Sequence, residues 1–203
     1  NRKMLSSGTI LNQGTLYLEK DHDDGTSGQF ALTGNASIIN EGLLDASEGQ
    51  TEITLNGASS LVSEKETIAS FSTLTVNEDA KVEIKGDGSG ETLNVAGNGS
   101  YKIGSTSENT WKDISVAGGL LVNEGVLNPA AEGEEPKQLG NLTVSGGQFV
   151  NDGSADFDRL KTIGSGDAGT PAVTNKSGKE LKASTLDLAS GPVSYTHLTL
   201  PTT

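Results

Sequence analysis

The chain has 203 residues, and its 27 Asp and Glu against 14 Lys and Arg give a formal charge of -13 at pH 7. So acidic a surface repels nucleic acid and anionic lipid, which argues against both as partners. Cysteine is absent, which excludes a disulfide framework, a zinc–thiolate site and a thiol nucleophile from these residues.

The predicted elements come in a recurring order. An apolar pair followed by Asn, any residue and Gly first occurs at Ile10-Leu11-Asn12-Gln13-Gly14, ahead of an acidic, Gly-rich stretch over residues 21–28. The pair Phe30/Leu32 follows, then Ile38-Ile39-Asn40-Glu41-Gly42, then the pairs Ile53/Leu55, Leu74/Val76, Leu93/Val95 and Ile114/Val116. Leu121-Val122-Asn123-Glu124-Gly125 repeats the first motif, and residues 130–137 form a second acidic insertion. Leu142/Val144, Phe149-Val150-Asn151-Asp152-Gly153, a degenerate Val173-Thr174-Asn175-Lys176-Ser177-Gly178 and Leu186/Leu188 complete the series. The first members of the pairs are 23, 21, 19, 21, 28 and 44 residues apart, the last being two steps with a weak pair near Ile163. Apolar and polar residues alternate within each pair, as in half-buried strands.

Gly recurs about every eight residues and costs about 1 kcal/mol per helix-interior site, so only 63–70 and 158–161 are expected to form a helical turn. Antiparallel sandwiches place strands every 8 to 12 residues with no longer repeat. A unit of about 22 residues, with two or three short strands separated by Asn, Gly and Ser corners, instead predicts an all-β fold, a parallel β-solenoid. Leu, Ile, Val and Phe number only about 46, a little above the proportion of a disordered chain, and stacked rungs make economical use of them. Val76, Val95 and Val116 are expected to pile in one column. Both insertions are expected to leave corners as solvated loops.

Asn and Gly tolerate left-handed backbone angles, so the Asn-x-Gly element is expected to turn the chain between strands. A role for these Asn side chains in binding a sugar or metal competes with the turn reading, and in a parallel solenoid stacked Asn can also form ladders between coils, satisfying amides that would be costly to bury alone.

Residues 193–203 resemble a sequencing adaptor, a transposon mosaic end translated in one frame. They are set apart from the solenoid of residues 1–192, which is expected to be an interior piece of a longer protein. Within it, Gly8-Thr9-Ile10-Leu11-Asn12-Gln13-Gly14-Thr15-Leu16-Tyr17-Leu18 and Gly119-Leu120-Leu121-Val122-Asn123-Glu124-Gly125-Val126-Leu127 resemble the passenger repeats of bacterial autotransporters and related outer-membrane adhesins. That resemblance implies a right-handed parallel β-helix of the pectin-lyase-like kind, exported to the cell surface or beyond by a C-terminal barrel. It fixes location better than activity.

Catalytic constellations are sparse. His22 is the only histidine outside the last eleven residues, and it sits in the first acidic insertion. Gly86-Asp87-Gly88-Ser89-Gly90 has the composition of a serine nucleophile signature but not its order, and Gly164-Ser165-Gly166-Asp167 reads as a loop. Asp156 and Asp158 would share one strand face beside Arg159, although a polar strand edge with Phe157 and Leu160 buried accounts for them as well. Calcium at Asp21, Asp23 and Asp24 lacks the usual ligand spacing. Trp111 and Tyr101 could stack on a sugar, but isolated aromatics in a solenoid more commonly fill the core. Asn-x-Ser/Thr matches at Asn35, Asn98, Asn141 and Asn175 follow from composition. No catalytic, cofactor-binding or metal residue is assigned. The sequence supports a non-enzymatic surface or secreted stalk or adhesin segment that binds a host glycan or protein, or a second copy of itself, without inserting in a membrane. A secreted polysaccharide lyase or glycosidase on the same fold is the alternative.

Overall fold

A strand that buries alternate residues needs an interior on one side only, and three such strands can close around a shared interior if each coil of chain lies on the last. The computed structural model describes residues 2–18, 28–129, 140–163, 171–188 and 194–195. In these residues the chain winds into a β-solenoid whose successive coils are joined by parallel ladders. The first sheet stacks Arg2–Leu5, Gln29–Leu32, Glu52–Leu55, 73–76, 92–96, 113–117, Asn141–Ser145, 159–163 and 185–188. The second stacks Thr9–Asn12, Ser37–Asn40, Ser60–Ser63, Lys81–Ile84, Ser100–Ile103, Leu120–Asn123, Gln148–Asn151 and Val173–Asn175, with Ser194–Tyr195 paired beyond them. The third holds Thr15–Tyr17, Leu43–Ala46, 68–71, 87–90, 108–111, Val126–Leu127, 154–157 and 180–183. Numbered by their first-sheet strands, these make eight successive three-strand coils, with a ninth starting at 185.

The periodic pairs are register partners. Phe30 pairs with Ile53, Ile53 with Leu74, Leu74 with Leu93, Leu93 with Ile114 and Ile114 with Leu142. Val76, Val95 and Val116 form the expected column and are fully buried, continued by Leu55 and Val144. The long last step divides at Leu160, which pairs with both Leu142 and Leu186. Thr162 occupies the second inward place there and Ile163 points out, 48% exposed, which corrects the weak pair near Ile163. The seven steps of this column average about 22 residues.

Three corners differ in construction. From third strand to first, the chain in coils three, four, five, seven and eight runs on as one long strand, such as Ile68–Val76 or Glu108–Ala117, and changes face by a slip in alternation. Lys112 and Asp113 are both exposed between buried Trp111 and Ile114, and Lys112 has no register partner between Trp111 and Asp113. The two acidic insertions interrupt this corner in coils one and six, and the expectation that they are solvated loops lies outside the described residues. The helical turns expected at 63–70 and 158–161 are instead a corner between strands and such a slip, because burying Phe157 and Leu160 on neighbouring faces requires extended backbone. The helical turn observed is Glu48–Gln50.

Left-handed backbone recurs at the corner from first strand to second. Gly8, Gly34, Gly57, Glu78, Gly97, Gly118 and Gly146 have positive φ there, one in each of coils one to seven. The Asn-x-Gly corner works differently at Gly14, Gly42, Gly125 and Gly153, which corrects the left-handed reading there, while the degenerate copy keeps it, with Gly178 at a φ of 75°. Its Asn is the last inward residue of the second-sheet strand, and its Gly permits close stacking. A Cβ on Gly42 would lie 2.1 Å from the Gly14 carbonyl oxygen, and one on Gly153 would lie 2.0 Å from that of Gly125.

Candidate functional surface

The interior takes up several residues that sequence alone left open. The Asn ladder forms. Asn12 Nδ2 donates to Asn40 Oδ1 at 2.7 Å, Asn123 Nδ2 to Asn151 Oδ1 at 2.8 Å, and Asn151 Nδ2 to Asn175 Oδ1 at 2.8 Å. Each amide also reaches a main-chain carbonyl, as Asn151 Nδ2 does at Glu180 O, 2.8 Å away. The column changes chemistry in the middle, where Ser63, Ile84 and Ile103 take the place of Asn. Asn123 Oδ1 therefore faces an aliphatic coil and has no hydrogen-bond partner.

Trp111 and Tyr101 are fully buried, edge to face with centroids 6.0 Å apart, and Trp111 stacks on Phe71 at 5.8 Å. They are core fillers and present no ring to a sugar. Tyr101 Oη donates to Asn109 Oδ1 at 2.6 Å, and Asn109 Nδ2 to Ser107 Oγ at 2.7 Å. Burial pushes the Tyr101 hydroxyl above its ordinary value. The Trp111 indole N–H nearby offsets this in part without reaching hydrogen-bond geometry. Gly88 and Gly90 of the would-be nucleophile signature face inward beneath Asn109 and Trp111, so that stretch is packing.

The carboxylates lie outside and are distributed. Asp156 faces out of the third sheet beside Lys182, and its pKa is raised because partial burial outweighs that lysine. Asp158 lies at the slip, unpaired in register, while Arg159 is beyond the corner, 3.8 Å from Asp187. Asp156 and Asp158 both lie on the side opposite buried Phe157, as their alternation predicts; the alternation shifts only after Asp158, which separates both from the face of Arg159. Phe157 and Leu160 are buried. Glu64 meets Lys85, Glu91 meets Lys112, and Asp152 meets Lys176 and Lys179 on adjoining coils. The Lys176 ammonium, helped by Lys179, holds the Asp152 carboxyl below the usual range. Among the described residues no three His, Cys, Asp or Glu side chains could hold a metal ion together. His22, the calcium candidates Asp21, Asp23 and Asp24, and Gly164 to Asp167 lie outside those residues. Asn175 belongs to the buried ladder, Asn141 Nδ2 donates to Asp113, and Asn35 and Asn98 are exposed at corners.

The closest approach of acids and base from three coils is on the outer face of the second sheet. Lys102 Nζ is 3.1 Å from Glu124 and 3.7 Å from Glu83. The hydrogen bond to Glu124 does most to raise the Lys102 pKa, with Glu83 adding to it. All three side chains are more than a third exposed, so the group is a surface network and not an enclosed cleft. Along the same outward column, Leu11, Ile39 and Val62 precede Glu83, and Val122 and Val150 follow Lys102. Sequence alternation places these residues outward, but only the register shows that they form one stripe.

No described helix is long and apolar enough to cross a membrane, which has no bearing on strands. Comparison with protein-family models, curated proteins and solved structures found no match to this chain.

Proposed function

We propose that this chain is a stalk or adhesin segment of an autotransporter-like protein, exposed on a bacterial surface or secreted, which binds a host glycan or protein through an extended solenoid face. One observation carries the reading. The two apolar columns of the first sheet run without a break from the second coil to the seventh, while charges are paired coil to coil along the outside. At about 4.8 Å per coil, such a body is on the order of 40 Å long, suited to holding loops and faces away from an anchor. Antibodies raised against the chain, applied to intact cells that produce the protein, should label the surface and lose their target after external protease. Labelling only after lysis would overturn the location, and an array of host glycans and matrix proteins tests the binding.

The Glu83, Lys102 and Glu124 group favours a second reading, a secreted polysaccharide lyase or glycosidase. Release of new chain ends from acidic polysaccharides, abolished by Glu124→Gln, would support it.

A further inference from the structure

We infer that the outer face of the second sheet pairs with the same face of a second copy of this chain, with the two solenoid axes antiparallel. Such pairing needs the stacked coils and does not depend on a surface location. Strand alternation points Ile39, Val62, Glu83, Lys102, Val122 and Val150 outward, and the register ladders place them on consecutive coils, the second to the seventh. Read along the solenoid, the stripe runs apolar, apolar, acid, base, apolar, apolar, and each residue is only partly covered by its own chain.

This order is complementary to its own reverse. A two-fold axis parallel to the strands, passing between Glu83 and Lys102, carries the fourth coil onto the fifth of the partner. Glu83 then faces Lys102 of the second copy, twice over, while Val62 meets Val122 and Ile39 meets Val150. One interface patch serves both copies, as closed two-fold association requires. A two-fold with its axis along the solenoid would set Glu83 against Glu83 and Lys102 against Lys102 if it passed through this column, and Ile39 and Val62 against Ser37 and Ser60 if it passed between the two outward columns. Like charges in the one case and apolar against polar side chains in the other select the antiparallel arrangement. Within one chain Lys102 leans toward Glu124, 3.1 Å away, and is 3.7 Å from Glu83, so Glu83 has room for a second cation. At the margin Glu64 comes opposite Glu124 of the second copy and Glu41 opposite its Asp152; Glu64, Glu124 and Asp152 each have their own lysine, Lys85, Lys102 or Lys176, and Glu41 accepts from Gln13.

The overall charge of -13 opposes association, and the stripe itself is neutral. With Leu11 of the first coil meeting Thr174 of the eighth at each end, a strip of eight coils by one short strand buries on the order of 1,000 Å² in total, the low end of specific interfaces, so the pairing is reversible and weak.

Sedimentation velocity on the whole chain, from micromolar to sub-millimolar concentration, tests this. The wild type should pass from monomer to dimer. Glu83→Lys and Lys102→Glu should each weaken dimerisation by about tenfold or more. An equimolar mixture of the two variants should restore it, because each lysine then faces a glutamate, and the double swap Glu83→Lys/Lys102→Glu should self-associate like the wild type. Circular dichroism on each variant reads folding separately. A wild type that stays monomeric, an indefinite polymer, a single variant that dimerises as well as the wild type, or a mixture that stays monomeric would each overturn the inference.

Discussion

The indole of Trp111 fills the space that a side chain on Gly90 would need: a Cβ there would lie 2.2 Å from its Cζ3 atom. Gly90 is in register between Phe71 of the coil before and Trp111 of the coil after, so the missing side chain lets the two rings stack across it. Gly90→Val should destabilise by about 1–3 kcal/mol through overpacking. Trp111→Val should lose about 3 kcal/mol through the cavity it leaves. Combined, they should lose clearly less than the sum, which urea denaturation of the two singles and the double would show.

The Asn ladder should respond to single and multiple substitution in opposite ways. Asn151→Ile removes the acceptor for Asn123 Nδ2 and the donor for Asn175 Oδ1 and Glu180 O. Leaving such groups buried and unpaired costs about 1–3 kcal/mol each. Ile84 and Ile103 show that the column accepts aliphatic side chains, so replacing Asn123, Asn151 and Asn175 together with Ile should cost less than three times the single change. Equal increments per substitution in denaturant titrations would count against a coupled ladder.

Two glycines separate close approach from backbone conformation. Gly153→Ala drives a Cβ to 2.0 Å from the Gly125 carbonyl oxygen, which coil stacking cannot absorb, and should destabilise by more than about 2 kcal/mol. Gly146→Ala meets open space but keeps a φ of 72°, so its loss should stay near 1 kcal/mol. Hydrogen exchange should show the Gly153 variant opening locally at the two coils that meet there, and the Gly146 variant closed.

Tyr101 sets a limit at high pH. Its hydroxyl titrates above its ordinary value of 10.0 when folded because burial disfavours the phenolate. The unfolded chain therefore releases this proton first. Stability from this group is complete below about pH 10 and falls above it by about 1.4 kcal/mol per pH unit until the folded phenol ionises. Tyr101→Phe should flatten that alkaline slope, while losing about 1–3 kcal/mol at neutral pH because Asn109 Oδ1 no longer receives its bond. Thermal midpoints from pH 7 to 11 would show the two curves converging.

Much of the architecture is legible in short stretches. Phe30, Ile53, Leu74, Leu93 and Ile114 reveal both the strands and their stacking, because coils of nearly equal length turn spatial register into sequence period. The signal fails where coil length varies. A period of 22 counted on from Leu142 falls one residue past Ile163, whereas the coil that ends at Leu160 is four residues shorter than that and the next is four longer.

Local sequence by itself determined the strands and the coil period, since alternation and corner composition follow from which side of a strand meets water. Only the tertiary structure decided which corner turns left-handed, why Gly follows Asn, that Trp111 and Tyr101 lie inside, and that Glu83 and Lys102 sit at the centre of an aliphatic stripe. These are relations between coils, and each depends on what stacks above and below a residue some twenty positions away, which neighbouring residues in the sequence do not specify.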